Sequence, residues 1–217
     1  MQSIKLLSLQ GDLCTPCLTE QRQSVALEKV RQQVGPKYAQ CRFESFRETK
    51  ATAAVVQALK RYVEEPRDGI FLFGPPGTGK THLATAMMRA FIEQGRDCQY
   101  VTVPELFMRI KRSFDVPHPS GEDDLLMNYS APILILDDLG VGPVTDWVCQ
   151  MIHLILDKRD RHLKPTLLIS NLSPDRIAML FGDPIASRIA GMCQIVRLEG
   201  EDRRLQGPRP TVEASQK

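Results

Sequence analysis

Eight consecutive residues, GPPGTGKT at positions 74–81, have the types and the spacing that bind a nucleoside triphosphate. The pattern is G-x-x-x-x-G-K-[ST], in which glycines let the backbone curl so that successive N–H groups point at phosphate oxygens. Lys80 is expected to reach the β- and γ-phosphates, and the hydroxyl of Thr81 to contact Mg²⁺. The alternative is a Gly/Pro turn with an incidental lysine. We predict that the whole loop binds nucleotide: Gly74, Pro75, Pro76, Gly77, Thr78, Gly79, Lys80 and Thr81.

Two adjacent carboxylates follow an apolar run farther along the chain, in the sequence ILILDD at 133–138. Burying two acids side by side is costly unless a cation or hydrogen-bond donors meet them. Beside a phosphate-binding loop, at the carboxyl edge of a parallel sheet, that cation is Mg²⁺. Asp137 is the predicted Mg²⁺ partner, and Asp138 is predicted to orient and polarise the attacking water. The alternative is a pair of acids that opens a loop.

These groups need a sheet to position them, and the surrounding pattern predicts one. Short apolar runs alternate with helical segments: runs at 70–73, 99–103, 133–136, 166–170 and 194–198, and helices at 79–94, 104–114, 145–162 and 174–190. Nearly continuous apolar runs are typical of strands buried on both faces, and their alternation with helices implies a parallel sheet. The predicted fold class is therefore α/β, a P-loop NTPase with a central parallel sheet flanked by helices.

The run at 166–170 ends at Asn171, which has two interpretations. Its amide is able to hold the lytic water or a γ-phosphate oxygen at the edge of the sheet. Alternatively, Asn171 forms a turn before the next helix, for which Ser173 is the N-cap.

Five segments together resemble a known family: GPPGTGKTHLA, VPELF, LILDDLG, LLISNLSPD and ASRIAG. They are similar to the AAA+ ATPases of the group that contains the DnaC/DnaI helicase loaders and the IstB transposition helpers. The resemblance implies an AAA+ fold, Asn171 as sensor 1, and Arg188 as an arginine finger that reaches the ATP of a neighbouring subunit. It also implies that Arg203 or Arg204 is a sensor-2-like arginine that senses nucleotide, although a solvated basic pair is the alternative.

The chain departs from AAA+ proteins as a whole at two points. Asp138 stands where a Glu is more usual, and its shorter reach implies slow hydrolysis. Only 17 residues follow Gly200, too few for the usual helical lid, so we expect the lid to be reduced or absent. A switch read through subunit packing fits this chain better than a processive motor.

The helix at 104–114, PELFMRIKRSF, carries the basic residues Arg109, Lys111 and Arg112 near Phe107 and Phe114. Basic groups interleaved with aromatic rings suit single-stranded DNA, through phosphate contacts and base stacking. The alternative is a helix with a solvated basic edge whose residues Leu106, Ile110 and Phe114 lie in the core.

The sequence CTPC places Cys14 and Cys17 at a C-x-x-C spacing near the N-terminus. A structural zinc site needs four ligands, and a second pair is missing here. Zinc at Cys14 and Cys17 is possible, as half of a zinc knuckle, but two plain thiols are the favoured interpretation.

Composition and charge bound the remaining possibilities. The chain has 217 residues, a formal net charge of +2 and no apolar run near the length of a membrane span, so we expect a cytoplasmic protein without bulk affinity for nucleic acid. Three segments are predicted: a helical extension over 1–35 that binds a partner, an ATPase domain over 36–204, and a disordered tail over 205–217. A helix at 18–34 with a narrow apolar stripe, ended by Gly35 and Pro36, supports the first boundary.

The function implied by the resemblance is an ATPase, slow and stimulated by a partner or by DNA, that hydrolyses ATP to ADP and phosphate with Mg²⁺ as cofactor. The resemblance further implies that the protein loads a hexameric replicative helicase onto single-stranded DNA and that it self-associates with ATP at subunit interfaces. The first alternative is an IstB-like transposition helper that binds DNA and a transposase. The second is a nucleotide-dependent adaptor that does not hydrolyse ATP.

Overall fold

The computed structural model describes residues 15–115 and 131–203. Residues 1–14, 116–130 and 204–217 lie outside the described part, which removes Cys14, Arg204 and the predicted tail from the structural account. The side chains of Cys17 and Phe114 are likewise not described.

The described chain contains seven α-helices, one short 3₁₀ helix and five strands. The strands are β1 Gly69–Phe73, β2 Cys98–Thr102, β3 Ile133–Leu139, β4 Thr166–Ser170 and β5 Cys193–Arg197. The α-helices are α1 Thr15–Gln33, α2 Lys50–Glu64, α3 Lys80–Glu93, α4 Val103–Asp115, α5 Asp146–Arg161, α6 Pro174–Phe181 and α7 Asp183–Met192, and the 3₁₀ helix is Pro36–Tyr38.

The five strands form one parallel sheet in the order β2-β3-β4-β1-β5. Two apolar clusters cover its faces. One holds α1, α2 and α3 against the sheet, and the other holds α4, α5, α6 and α7. The predicted α/β class with helices on both faces is confirmed, because runs such as Leu167–Ile169 are buried from both sides.

Strand order decides which residues meet at the site. β4 lies between β1 and β3, so the chain segments that follow these three strands emerge side by side at the carboxyl edge. These segments begin with Gly74 after β1, Gly140 after β3 and Asn171 after β4. The loop after β1 and the acids at the end of β3 therefore share one edge, as ligand sites in open α/β sheets do.

Helix α1 packs onto the ATPase domain. Ala26 and Val30 are fully buried in the cluster that contains α3, and the backbone N–H of Tyr100 in β2 donates to Gln33 Oε1 at 2.8 Å. Lys29 forms an ion pair with Asp97. Helix α1 is therefore packed against the domain on one face. Leu18 and Val25, two apolar residues of the same helix, are exposed. In the described residues, no helix is long and apolar enough to cross a membrane.

Candidate nucleotide site

The loop at 74–81 joins β1 to α3 and has the backbone of an anion cradle. Gly77 and Gly79 have φ values of 77° and 101°, which a residue with a β-carbon adopts only with strain. Lys80 lies inside the curve, where its Nζ donates to the carbonyl oxygens of Gly74 at 2.9 Å and Pro75 at 2.7 Å. The Thr78 hydroxyl donates to the same Pro75 oxygen at 2.9 Å. The predicted strand-loop-helix context is therefore present.

Asp137 lies at the end of β3 with only 3% of its surface exposed. Its Oδ2 accepts a hydrogen bond from the Tyr100 hydroxyl at 2.7 Å, and its Oδ1 accepts one from the Asp138 backbone N–H at 2.7 Å. Burial raises the pKa of Asp137, and the hydrogen bonds from Tyr100 and Asp138, with a smaller effect of the Thr81 side chain, oppose that rise.

The two predicted Mg²⁺ ligands, Thr81 and Asp137, therefore lie near each other at the carboxyl edge of the sheet, close enough for Thr81 to lower the pKa of Asp137. A hydroxyl and a carboxylate are ligands that suit Mg²⁺, and the buried charge of Asp137 favours a cation beside it. The residues fit the ion, and their role as its ligands remains a prediction.

Asp138 lies within β3 and takes a left-handed conformation, with φ of 58°. Leu136 pairs with Leu168 and Leu139 pairs with Ser170, so β3 has one extra residue between these pairs. Such a bulge turns the side chain of Asp138 out of the alternation of the strand. Asp tolerates positive φ better than most residues, but the conformation is strained, and strain of this kind clusters at functional sites.

Asn171 is exposed and directly follows β4, between the nucleotide loop and the acids. Ser173, not Asn171, caps α6, since its hydroxyl accepts a hydrogen bond from Arg176 N at 3.4 Å. The two interpretations of Asn171 are compatible, because capping falls to another residue.

Arg188 lies at the opposite edge of the sheet from the nucleotide loop. It is on α7, which leads into β5 at Cys193, and Cys193 pairs with Gly69, the first residue of β1. Its Nη2 lies 3.1 Å from Asp157 Oδ1 and its Nη1 lies 3.0 Å from Asp160 Oδ2. Arg188 is therefore ion-paired within its own chain and far from its own nucleotide loop.

Arg203 is the described member of the predicted sensing pair, and it packs beside the nucleotide loop. Its guanidinium lies 4.1 Å from the centre of the Phe46 ring and donates to Arg47 O at 2.7 Å. Burial and the charge of Arg47 lower its pKa. A β-carbon on Gly79 would lie 2.7 Å from Phe46 Cε2, so Phe46 connects Arg203 to the loop.

The predicted DNA-binding helix is only partly as expected. Phe107 is 7% exposed and packs edge-on against Trp147, with ring centres 5.3 Å apart, so it is not available to stack on a base. Leu106 and Ile110 lie in the core, as the alternative predicted. Arg109 pairs with Glu105 at 2.6 Å, and Lys111 lies over the Trp147 ring.

An apolar groove runs between α4 and the loop that follows β3. It is lined by Val103, Pro104, Phe107, Met108, Lys111, Gly140, Val141, Gly142, Pro143, Val144, Val148 and Phe181. Its apolar residues Met108 and Val141 are exposed, while Lys111 stands at its rim and Arg112 is exposed beside it. At Phe107, therefore, the structure has an apolar groove with a basic rim in place of a ring that is free to stack.

Sequence reasoning missed two residues near the nucleotide loop, Tyr100 and Asp202. Tyr100 was assigned only to a strand, but its hydroxyl is bonded to Asp137. Its position two residues before the end of a strand adjacent to the acidic strand was the available signal. For Asp202, no sequence signal indicates its position against Gly77. Over residues 15–115 and 131–203, no group of three or more His, Cys, Asp or Glu is arranged to hold a metal. Cys14 and the side chain of Cys17 lie outside that part, so zinc at these two residues is not tested.

This strand order, with a phosphate-binding loop after β1 and acids at the end of β3, and with β4 between these two strands, defines a P-loop nucleotide-binding protein of the AAA+ class. A family model described as IstB-like ATP binding protein matches residues 21–210. The chain belongs to that ATP-binding family, and the resemblance to the DnaC/IstB group is confirmed.

Three similar proteins are named replicative helicase loaders. The replicative helicase loader DnaC of Buchnera aphidicola subsp. Schizaphis graminum is 30% identical over 187 residues, which are 83% of this chain and 76% of the relative. DnaC of Escherichia coli K12 is 27% identical over 186 residues, with the same coverage of 83% and 76%. The replicative helicase loader DnaI of Bacillus subtilis strain 168 is 32% identical over 164 residues, 69% of this chain and 52% of the relative.

Solved structures share the fold. A crystal structure of the DnaC helicase loader is similar with a TM-score of 0.68 at 24% identity, covering 76% of this chain and 99% of the other. The replication initiator DnaA bound to AMPPCP and single-stranded DNA is similar with a TM-score of 0.66 at 22% identity, covering 76% of this chain and 51% of that one. At these identities the likeness concerns the fold alone.

Proposed function

We propose that this protein is an ATPase that loads a replicative helicase onto single-stranded DNA, with its nucleotide state controlling grip and release. The observation that carries the proposal is the similarity to named helicase loaders over 83% of the chain, together with the buried Asp137 at the end of β3, at the same edge of the sheet as the nucleotide loop.

The residues divide the chemistry among them. The backbone of the loop and Lys80 bind the β- and γ-phosphates of ATP, and Thr81 and Asp137 hold Mg²⁺, which neutralises phosphate charge when bound. Asp138 orients the attacking water and accepts its proton, and Asn171 positions that water or a γ-phosphate oxygen. Asp138 is shorter than Glu, which fits slow hydrolysis stimulated by DNA or by the partner.

We further propose that Arg188 completes the site of a neighbouring subunit. It is at the amino edge of the sheet and its own nucleotide loop is at the carboxyl edge, so it meets a nucleotide only across an interface between copies. The pairs with Asp157 and Asp160 have to open or turn for Arg188 to reach a phosphate. Arg203 or Arg204 is proposed to sense the nucleotide from the same chain.

Single-stranded DNA is proposed to lie along α4. The exposed basic residues Lys111 and Arg112 contact phosphates, Arg109 contributes once it leaves Glu105, and the apolar groove takes base or sugar surface. The test is fluorescence anisotropy with labelled single-stranded DNA. Lys111→Glu and Arg112→Glu are expected to weaken binding and its salt dependence, whereas Arg61→Glu, an exposed arginine on α2, is the matched control and should have little effect.

The decisive experiment for the loading function is a pull-down with the replicative helicase of the same cell, with ATP and with ADP. Retention that differs between the two nucleotides, together with helicase transfer to a single-stranded DNA circle, supports the proposal. Failure to retain the helicase with either ATP or ADP would contradict the proposal.

The family description supports one second candidate, a transposition helper, because the matching model is named for IstB. Such a helper binds duplex DNA and a transposase in place of a helicase. ATP turnover with and without single-stranded DNA distinguishes both from a non-hydrolysing adaptor, for which no turnover is expected under any condition.

A further inference from the structure

The segment after β5 crosses directly over the nucleotide loop. Leu198 is fully buried and its backbone N–H donates to Phe73 O at 2.7 Å, which continues the pairing of β5 with β1. Five residues later, the backbone N–H of Arg203 donates to Gly77 O at 3.1 Å. Residues 198–203 are therefore tied at both ends to the strand and loop that hold the phosphates.

Asp202 brings a negative charge against that loop. A β-carbon built on Gly77 would lie 1.8 Å from Asp202 Oδ1 and 2.1 Å from its carboxyl carbon, so the carboxylate occupies the space that a side chain at Gly77 would need. Gly77 is thus required here for close approach as well as for its positive φ. The loop has the backbone of an anion-binding site, and the carboxylate of Asp202 lies beside it.

The neighbouring residue holds Asp202 in this position. The guanidinium of Arg203 stacks over Phe46 at 4.1 Å and donates to Arg47 O at 2.7 Å, and Phe46 contacts Gly79 of the loop. Arg203 is therefore anchored both by its side chain and by its backbone N–H, which fixes the backbone next to Asp202 relative to the loop.

We propose that Asp202 is an affinity-determining residue of the nucleotide site, an internal competitor of the nucleotide phosphates. A triphosphate bound in the loop brings several negative charges close to this carboxylate, and like charges at short range repel strongly where water is partly excluded. Nucleotide binding therefore either displaces Asp202 or proceeds against its charge. This inference rests on ATP binding by the family and does not depend on helicase loading.

Asp202→Asn tests the charge with little change in shape. We expect it to bind ATP and ADP about tenfold more tightly than the wild type, from the removal of one charge within a few ångströms of the phosphates. Asp202→Glu keeps the charge and should show no such gain. Glu201→Gln, which removes the adjacent acid, is the matched control and should stay within about twofold of the wild type.

The measurement is competition against a fluorescent ATP analogue, with ATP, ADP and adenosine as competitors at two salt concentrations. A charge effect tightens ATP and ADP, leaves adenosine unchanged, and shrinks at high salt. Thermal unfolding of each variant verifies that it is folded.

Two outcomes would overturn the proposal. Unchanged or weaker ATP binding by Asp202→Asn would mean that the carboxylate does not oppose the phosphates, and weaker binding would indicate a hydrogen bond to the nucleotide. A gain of equal size for adenosine would mean that residues 198–203 block the site by their bulk. Neither outcome bears on the pull-down with the helicase, so failure here is distinct from failure of the proposed function.

Discussion

Asp137 carries a carboxylate in a place where burial makes charge costly. Its pKa is raised by burial, although hydrogen bonds from Tyr100 and the Asp138 amide, and more weakly the Thr81 side chain, lower it. The folded protein therefore holds this proton more tightly than the unfolded chain does. The stability contributed by the protonated group is present at low pH and is lost as pH rises from the ordinary value of 3.8 through the raised pKa.

Asp137→Asn is therefore expected to stabilise the protein in the absence of nucleotide and Mg²⁺. The amide oxygen keeps the bond from Asp138, and the amide nitrogen donates to the Tyr100 hydroxyl, so a buried charge is removed without an orphaned group. We expect a gain of about 1 kcal/mol at pH 7, or about 2–4 °C in the melting temperature. The gain should shrink as pH falls.

Denaturant unfolding between pH 5 and 8 measures this effect. Glu44→Gln, which neutralises an exposed acid, is the control and should change little at any pH. A destabilised Asp137→Asn protein would show that the hydrogen bonds from Tyr100 and Asp138 outweigh the cost of burial. With Mg²⁺ and ATP present the order is expected to reverse, because only the wild type gains the metal.

Asp138→Asn separates binding from chemistry. The amide cannot accept a proton from the attacking water, so turnover should fall by about 10²–10⁴-fold while ATP still binds. Phosphate release measures turnover, and equilibrium binding measures the affinity for ATP. Hydrolysis at the wild-type rate by Asp138→Asn would remove its catalytic role.

Lys80→Ala should instead weaken ATP binding by roughly ten- to a hundredfold, since a hydrogen bond to a charged group contributes about 1.5–3 kcal/mol. Equilibrium binding of ATP measures this effect.

At the scale of elements, α1 is joined to the domain on one face and exposed on another. Ala26 and Val30 are buried against α3, while Leu18 is 40% and Val25 is 52% exposed. Leu18 and Val25 are seven residues apart, two helical turns, and so lie on one side of the helix. We propose that this exposed side binds the partner. Deleting residues 1–35 would also uncover the core beneath α1.

A point substitution tests partner binding by α1 more sharply than a deletion. Val25→Glu is expected to weaken capture of the replicative helicase at least about tenfold, because a charge enters an apolar contact that carries binding energy. Ser24→Glu adds the same charge to an adjacent exposed position about 100° around the helix and should bind normally. Co-sedimentation at matched concentrations measures both. Equal binding by the two variants would exclude this face as the contact.

At the scale of the whole molecule, the sheet separates the two halves of the proposed catalytic site. The five residues of β1 span about 16 Å between the amino edge near Arg188 and the nucleotide loop. A single copy thus contains both halves but cannot join them, and hydrolysis is expected to require assembly.

Arg188→Ala tests that requirement. The variant should bind ATP normally yet lose hydrolysis, and fingers of this kind contribute about 10³–10⁵ in rate in GTPase systems. Mixing it with the inactive Lys80→Ala protein should partly restore turnover, because some interfaces then pair an intact loop with an intact Arg188. Arg176→Ala, an exposed arginine on α6, is the control. Co-assembly without rescue at any ratio would argue against action between subunits.

The nucleotide loop, the acidic pair and the α/β class were predictable from sequence because each depends on runs of contiguous residues. The phosphate cradle is one curl of backbone, so its glycines, Lys80 and Thr81 are neighbours in the chain. Buried parallel strands leave apolar runs, and β3 differs from its prediction mainly in extending to Leu139 through the bulge at Asp138. The membership of the AAA+ group followed from several such local motifs taken together.

Contacts between distant residues were decided only by the tertiary structure. Strand order places Tyr100 against Asp137, and α5 meets α7 through Asp157, Asp160 and Arg188. The return of the chain after β5 sets Asp202 against Gly77. The burial of Phe107 also depends on a contact between distant residues. Its position near basic residues suggested a DNA-binding surface, but Trp147 packs against its ring. None of these pairings leaves a periodic signal, because each depends on which elements the sheet brings together.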